Sequence, residues 1–252
     1  MFDKLKMRNL EMGDFFTMTF QVYKNMFISI AIVSVLFSLP TMIVNNCIQN
    51  NIDNIPPIII VGNLLLSLVL AVMINSCIIM ASARFIENGE KLKWNELINE
   101  ATKLLLKTLP AFLLFIIGMT LGIVLLIIPG VIIAVYYGFY LHAIAIRKKG
   151  FMAAFKYSSS LAKGNFWKIL GFALVTNILV FFALSAASTP ISFFLTLQIL
   201  QTGKVVIPMY VSVLEAFFTV ITAFAQVGMT VMFLNLENVK RYKENEERND
   251  CL

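Results

Sequence analysis

Apolar positions along the chain fall into long uninterrupted runs rather than into short alternating ones. Stretches without Asp, Glu, Lys or Arg cover 26–45, 57–83, 108–128, 129–146 and 169–200, and a sixth, 207–234, carries the single acid Glu215. A bilayer core is crossed by ~20 apolar helical residues. Each run is that long or close to it, and each is apolar nearly all round, unlike a surface helix. The third and fourth form one uncharged stretch that Pro129-Gly130 divides. Proline suits the first position of a helix, so span four is expected to open there, unless the turn begins earlier, around Gly122, and span three is short or broken. Ten-residue alternating segments, the mark of a membrane barrel, are missing. The pattern predicts an all-α polytopic integral membrane protein with six transmembrane helices.

The segments between the spans carry a second pattern. Residues 14–23, 94–106 and 151–162 each precede an odd-numbered span and each is amphipathic. In the second, Trp94, Leu97, Ile98, Ala101, Leu104 and Leu105 lie on one helical face, with Glu96, Glu100 and Lys103 opposite. These three segments are expected to be short interfacial helices, each followed by a transmembrane hairpin. Between the third and span five, Gly164 is expected to end a helix in a left-handed residue and Asn165 to cap the next. Phe166, Trp167 and Lys168 then anchor it at headgroup depth.

Charge orients this layout. The segments 1–25, 84–107 and 147–168 and the tail after 234 hold 19 of the 20 basic residues, and the other loops hold only Lys204. Lys and Arg accumulate on the cytoplasmic side. Both termini are therefore expected in the cytoplasm, with 1–25 a cytoplasmic segment, 26–235 the membrane domain and 236–252 a charged, solvated tail. Asp53 and Lys204 are then the only fully charged residues of the outer loops. The richest inner segment carries Arg147, Lys148, Lys149, Lys156, Lys163 and Lys168, a basic belt suited to anionic lipid headgroups. The net charge of +6 is thus a signal of topology, and no nucleic-acid motif accompanies it.

Composition agrees. The chain of 252 residues is 59% apolar and 13% charged, with a mean hydropathy of +0.84. Soluble domains are ~45–50% apolar and ~25% charged. The first 25 residues are charged and amphipathic, unlike a signal peptide. Asn45-Asn46-Cys47 lacks the small residues that precede a lipoprotein cysteine. Cys47, Cys77 and Cys251 fall at the outer face, within a span and in the tail, with no metal or redox spacing. No Walker loop, zinc-protease motif or nucleophile elbow is present, and no cofactor is implied.

Two motifs carry a family resemblance. Ile128-Pro-Gly-Val-Ile-Ile133 and Ser158-Ser-Ser-Leu-Ala-Lys-Gly-Asn-Phe-Trp167 resemble the membrane domain of glycerophosphoryl diester phosphodiesterases and its stand-alone relatives, largely uncharacterised six-helix proteins of the bacterial inner membrane. Pro129, Gly130, Ser158, Leu161, Gly164 and Asn165 match the family pattern, and Ser159 stands where the family has tryptophan. The match is sharpest over 95–175. In the phosphodiesterases a catalytic barrel follows the membrane domain. Here 18 residues follow Leu234, and the chain has one histidine. The resemblance therefore implies the membrane domain without the enzyme, in the bacterial cytoplasmic membrane.

Four residues are candidates for a site. His142, five residues before Arg147, is a proton carrier, a headgroup contact or a hydrogen-bonded boundary residue. Tyr136 and Tyr140, with Tyr137, line a lipid groove or pack. Glu215 stands about 10 Å into span six, a costly place for an acid, unless the helix enters the bilayer later and leaves it at the outer shoulder. Asn63, Asn75, Asn177 and Gln226 lie within spans, where they bond across helices or line a polar path. Three function classes follow: a non-enzymatic envelope protein that engages lipids, a transporter or channel using Glu215, and a membrane subunit of a larger export or immunity complex. A membrane protein partner or a homo-oligomer is compatible with each.

Overall fold

The computed structural model describes residues 10–50, 56–89, 93–202 and 209–250. Within them the chain forms helices α1 (Met12–Asn50), α2 (Pro57–Asn88), α3 (Trp94–Leu125), α4 (Ile127–Tyr137), α5 (Tyr140–Ala145), α6 (Phe151–Ala162), α7 (Phe166–Thr202) and α8 (Met209–Asp250). No strand occurs among the described residues. Six segments are long and apolar enough to cross a membrane: α1, α2, α3, α4 with α5, α7 and α8. The six-span order read from the apolar runs is the order observed. Lys4, Lys6, Arg8, Lys91, Asp53, Lys204 and Cys251 lie outside the described residues.

One expectation fails for two segments out of three. Residues 14–23 and 94–106 are not separate interfacial helices; they are the first turns of α1 and α3. The reason is a buried stripe that runs without a phase change. Along α1, Phe15, Met18, Val22, Met26, Ile30, Val33 and Phe37 are all buried. Along α3, Leu97, Ala101, Leu104, Thr108 and Ala111 continue the same rhythm. Steps of three and four residues keep one face on a neighbouring helix, so nothing turns the segment into the membrane plane. Pro110 stays inside α3. Only α6 is a separate short helix. Gly150 precedes it in extended backbone, and Gly164 ends its turn at φ +83°. That left-handed residue is the one expected there. The Asn165 side chain, expected to cap α7, donates instead to the Leu161 carbonyl at 3.2 Å and closes the end of α6.

The boundary between spans three and four also moves. The chain breaks at Leu126 (φ −166°, ψ 140°), three residues before Pro129. Pro129 is then the third residue of α4, still within the first turn, where a backbone N–H has no helical partner to lose. The following Gly130 faces Gly122 across the hairpin. A Cβ on Gly122 would stand 2.8 Å from the Gly130 Cα, and one on Gly130 would stand 2.6 Å from the Ile123 side chain. Small residues let helix backbones approach this closely in lipid.

α1 lies along α8, α2 packs on α1, α3 and α8, and α7 flanks α8. α1 and α8 run antiparallel. Thr19 lies against Gly228, whereas Tyr23, one turn further along α1, bonds the Val220 carbonyl at 2.8 Å. The start of α1 and the later part of α8 therefore share one end of the bundle. This end carries the basic segments and is called the basic end. The core is concentrated towards it. In α2 the buried residues run only from Val72 to Ile86. In α7, Ile169, Phe172, Thr176 and Val180 are buried, whereas Phe181, Phe182 and Phe193 are exposed. Apolar side chains of the other half face lipid. Of the intramembrane amides, Asn63 reaches across to Asn45 at 2.7 Å, but Asn75 and Asn177 bond carbonyls of their own helices. α8 runs on through the expected tail, with Leu236 and Glu237 buried.

The α3–α4 hairpin yields a test. Gly122→Ala and Gly130→Ala are each expected to destabilise by ~1–3 kcal/mol through overpacking. Gly118→Ala, whose Cβ would meet nothing nearer than 3.9 Å, should be nearly neutral. Thermal unfolding in detergent micelles reads the difference; equal midpoints for all three would refute the close contact.

Candidate functional site at the basic end

The site begins where span four fails to be one helix. α4 stops at Tyr137, the helix is interrupted at Gly138-Phe139, and α5 resumes at Tyr140. An interruption in lipid leaves backbone groups that water cannot satisfy. Ser158 of α6 meets two of them. Its Oγ accepts from the Phe139 N–H at 3.0 Å and donates to the Tyr136 carbonyl at 2.8 Å. Ser158 is fully buried, and Ala154, Leu161 and Ala162 press the same face of α6 inwards. Leaving a buried backbone group unpaired costs ~1–3 kcal/mol, so one hydroxyl here spares two such penalties.

After α5, the turn at 146–150 passes through Lys148 in the left-handed region, φ 53°. This conformation costs a non-glycine residue of order 1 kcal/mol. Ion pairs on either side of the turn hold it. Arg147 reaches Glu237 of α8 through its Nε, 2.9 Å from both carboxylate oxygens, and through a terminal nitrogen at 2.5 Å. The same terminal nitrogen binds Glu87 of α2 at 2.7 Å. Lys148 binds Glu100 of α3 at 2.8 Å, and Glu100 also takes Arg84 of α2. The turn is thus tied to α2, α3 and α8.

Glu237 is the centre of the arrangement. It is 2% exposed and accepts from Arg147, from the Tyr157 hydroxyl of α6 and from Arg241 at 3.0 Å. A buried carboxylate is tolerated when it is paired and hydrogen-bonded in this way. Burial works against the Arg147 charge, but its bonds to Glu237 and Glu87 outweigh that and raise its pKa above the ordinary value. Burial pushes the Tyr157 hydroxyl up as well, and the bond to Glu237 and its charge add to the shift. Tyr157 is therefore a donor and not an anion at neutral pH. Lys149 sits over its ring, 5.0 Å from the centroid. A cleft of about 360 Å³ opens beside this cluster, lined by Lys149, Tyr157, Lys240, Arg241 and Glu244 among others.

Some residues expected to form a site are placed elsewhere. His142 is enclosed within the bundle. It is 2% exposed in α5, stacked on Phe233 at 5.6 Å and edge-on to Phe139 at 5.8 Å. The Gln226 main chain faces its ring, but no hydrogen bond of ordinary geometry reaches either ring nitrogen. It has no surface left for a headgroup. Tyr140 is 4% exposed and lies between Phe115 at 4.9 Å and Phe155 at 5.2 Å. The half-buried Tyr136 packs on Phe166 at 5.9 Å. Rings fill the groove expected around these tyrosines. Glu215 falls within α8, and its side chain lies outside the described residues.

The basic belt divides. Arg147 and Lys148 are consumed by structure, Lys168 lies 5.0 Å over the Phe15 ring, and Lys156 and Lys163 are exposed. Sequence reasoning misses Glu237, Tyr157, Glu100, Glu87 and Arg84 as members of a cluster. For Glu237 a signal exists. Ala216, Val220, Ala223, Val227, Thr230 and Leu234 are buried in alternating steps of four and three, and the next step is Glu237. Among the described residues no group of His, Cys, Asp and Glu could hold a metal ion.

Helix number, length and apolarity together define a multi-pass α-helical membrane protein. Residues 58–236 match the model of a family described as a domain of unknown function, DUF7847. That is most of the chain, with α1 outside the match, and the protein belongs to this family. Neither the curated proteins nor the solved structures give a match.

Replacing a central partner should cost more than replacing a rim partner. Glu237→Gln is expected to destabilise by about 3 kcal/mol, because it leaves Arg147 half-paired in a buried site. Tyr157→Phe should cost about 1 kcal/mol, and Arg241→Gln, whose side chain is 58% exposed, under ~1 kcal/mol. Unfolding midpoints in detergent check the ranking; a Glu237→Gln protein as stable as Arg241→Gln would contradict it.

Proposed function

We propose that this chain is a non-enzymatic, multi-pass protein of the bacterial cytoplasmic membrane, with both termini in the cytoplasm, that engages anionic lipids through its basic end. The observation that carries this reading is how the acids there are used. Glu237 and Glu87 are occupied by Arg147, and Glu100 by Arg84 and Lys148. Among the described residues no carboxylate stands within ion-pair distance of Lys149, Lys156 or Lys163. All three belong to α6 or the turns at its ends. Positive charge left over in such a place attracts the anionic lipids of the inner leaflet. The asymmetry of Lys and Arg along the chain supports the orientation, and the resemblance to phosphodiesterase membrane domains supports both the membrane and a role beside lipids.

Mass spectrometry of the protein extracted gently from its native membrane tests the reading. Anionic phospholipid should be enriched over its share of the bulk membrane. A stoichiometric protein partner without lipid enrichment would overturn this reading in favour of a complex subunit. The orientation has its own test in Cys47, exposed near the end of α1, and Cys77, buried in α2. In a Cys251→Ser background, a membrane-impermeant maleimide added to spheroplasts should label the protein, and Cys47→Ser should abolish labelling. Labelling only after lysis would reverse the topology.

A further inference from the structure

A second cleft lies on the other side of Lys240, between the end of α6 and α8. It measures about 280 Å³ and is lined by Ser160 from α6, by Lys163 and Asn165 from the α6–α7 turn and by Val239, Lys240 and Lys243 from α8, among others. We propose that this cleft binds the phosphate of an anionic phospholipid headgroup. The inference rests on the lipid reading above and names its site and its chemistry.

Three lysines, Lys163, Lys240 and Lys243, line the cleft against one acid in its wall, Glu244. That carboxylate stands 3.9 Å from Lys240 and is itself largely exposed. Lys240 is held in place from the α6 side. Its Nζ donates to the Ser160 Oγ at 3.0 Å and lies 5.9 Å from the centre of the Tyr157 ring. The buried Glu237 is already engaged by Arg147, Tyr157 and Arg241, so its charge is spent on those partners and not on Lys240.

Depth favours a lipid as the source of the phosphate. Trp167, two residues after Asn165, is 80% exposed and stands edge-on to Phe166 at 5.4 Å. An exposed indole settles at the headgroup level of a bilayer. The cleft therefore opens where the phosphates of the adjacent leaflet lie. Met152, 61% exposed at the start of α6, presents apolar surface of the kind acyl chains cover. A soluble phosphate ester offers the same anion, and the experiment separates the two sources.

The test compares Lys163→Gln/Lys243→Gln with Lys103→Gln, an exposed lysine of α3 outside the cleft. Each protein is reconstituted in nanodiscs of phosphatidylcholine with phosphatidylglycerol, and retained lipid is read by native mass spectrometry. Each cleft lysine removed should weaken retention of phosphatidylglycerol about fivefold, and Lys103→Gln should leave it unchanged. Equal loss from Lys103→Gln would overturn the site in favour of diffuse attraction, and so would full retention by the double variant. Inorganic phosphate that binds in phosphatidylcholine discs and displaces phosphatidylglycerol would overturn the lipid source. If the unaltered protein shows no preference for phosphatidylglycerol, the lipid reading itself fails. Matching unfolding midpoints show that the variants are folded.

Discussion

The pairing of Arg147 with the buried Glu237 is the interaction on which the basic end depends. Arg147 stands two residues after the end of α5, and Glu237 lies on the core face of α8. Their contact fixes where the chain leaves span four. The turn that follows can then place α6 beneath α4 and α5. Only in that position does Ser158 reach the Phe139 N–H and the Tyr136 carbonyl. The interruption of span four, the placement of α6 and the ion pairs are therefore one linked arrangement.

Lipid makes such linkage necessary. Between helices in a bilayer there is no hydrophobic drive, because the surrounding tails are as apolar as the side chains. Close packing and polar contacts must supply the association. This protein places the two devices differently. At the basic end, carboxylates, guanidinium groups and the Tyr157 hydroxyl join four helices. At the α3–α4 hairpin, Gly122 and Gly130 let two backbones meet. Where neither operates, as along the second half of α7, side chains such as Phe193 remain exposed to lipid.

The spans are legible because a membrane imposes length and apolarity directly on sequence. The left-handed Gly164 is legible because few other residues accept that conformation. The joined first turns of α1 and α3 are not, since an amphipathic face looks the same whether it meets headgroups or another helix. Leu97 and Ala101 continue into Thr108 and Ala111 without a shift of phase, and that continuity is the clue. The charged cluster is hidden for a different reason. Its members come from α2, α3, α6 and α8, and only tertiary contact unites them. Glu237 reads as part of a solvated tail when charge is weighed before periodicity.

The same division of charge lets the basic end be a structural joint and still offer the surface proposed for binding. A residue already paired in a buried network has little left to offer a ligand, and moving it would cost the fold. Arg147 and Lys148 are in that position, although they lie in the densest part of the belt. The lysines around α6 are not. Because α6 is a separate helix clamped from beneath by Ser158 and Tyr157, its outward lysines are held on a fixed frame without being spent on it. Positive charge that is positioned but uncompensated is what an anionic headgroup can use, and here it follows from the way the carboxylates of the core are assigned.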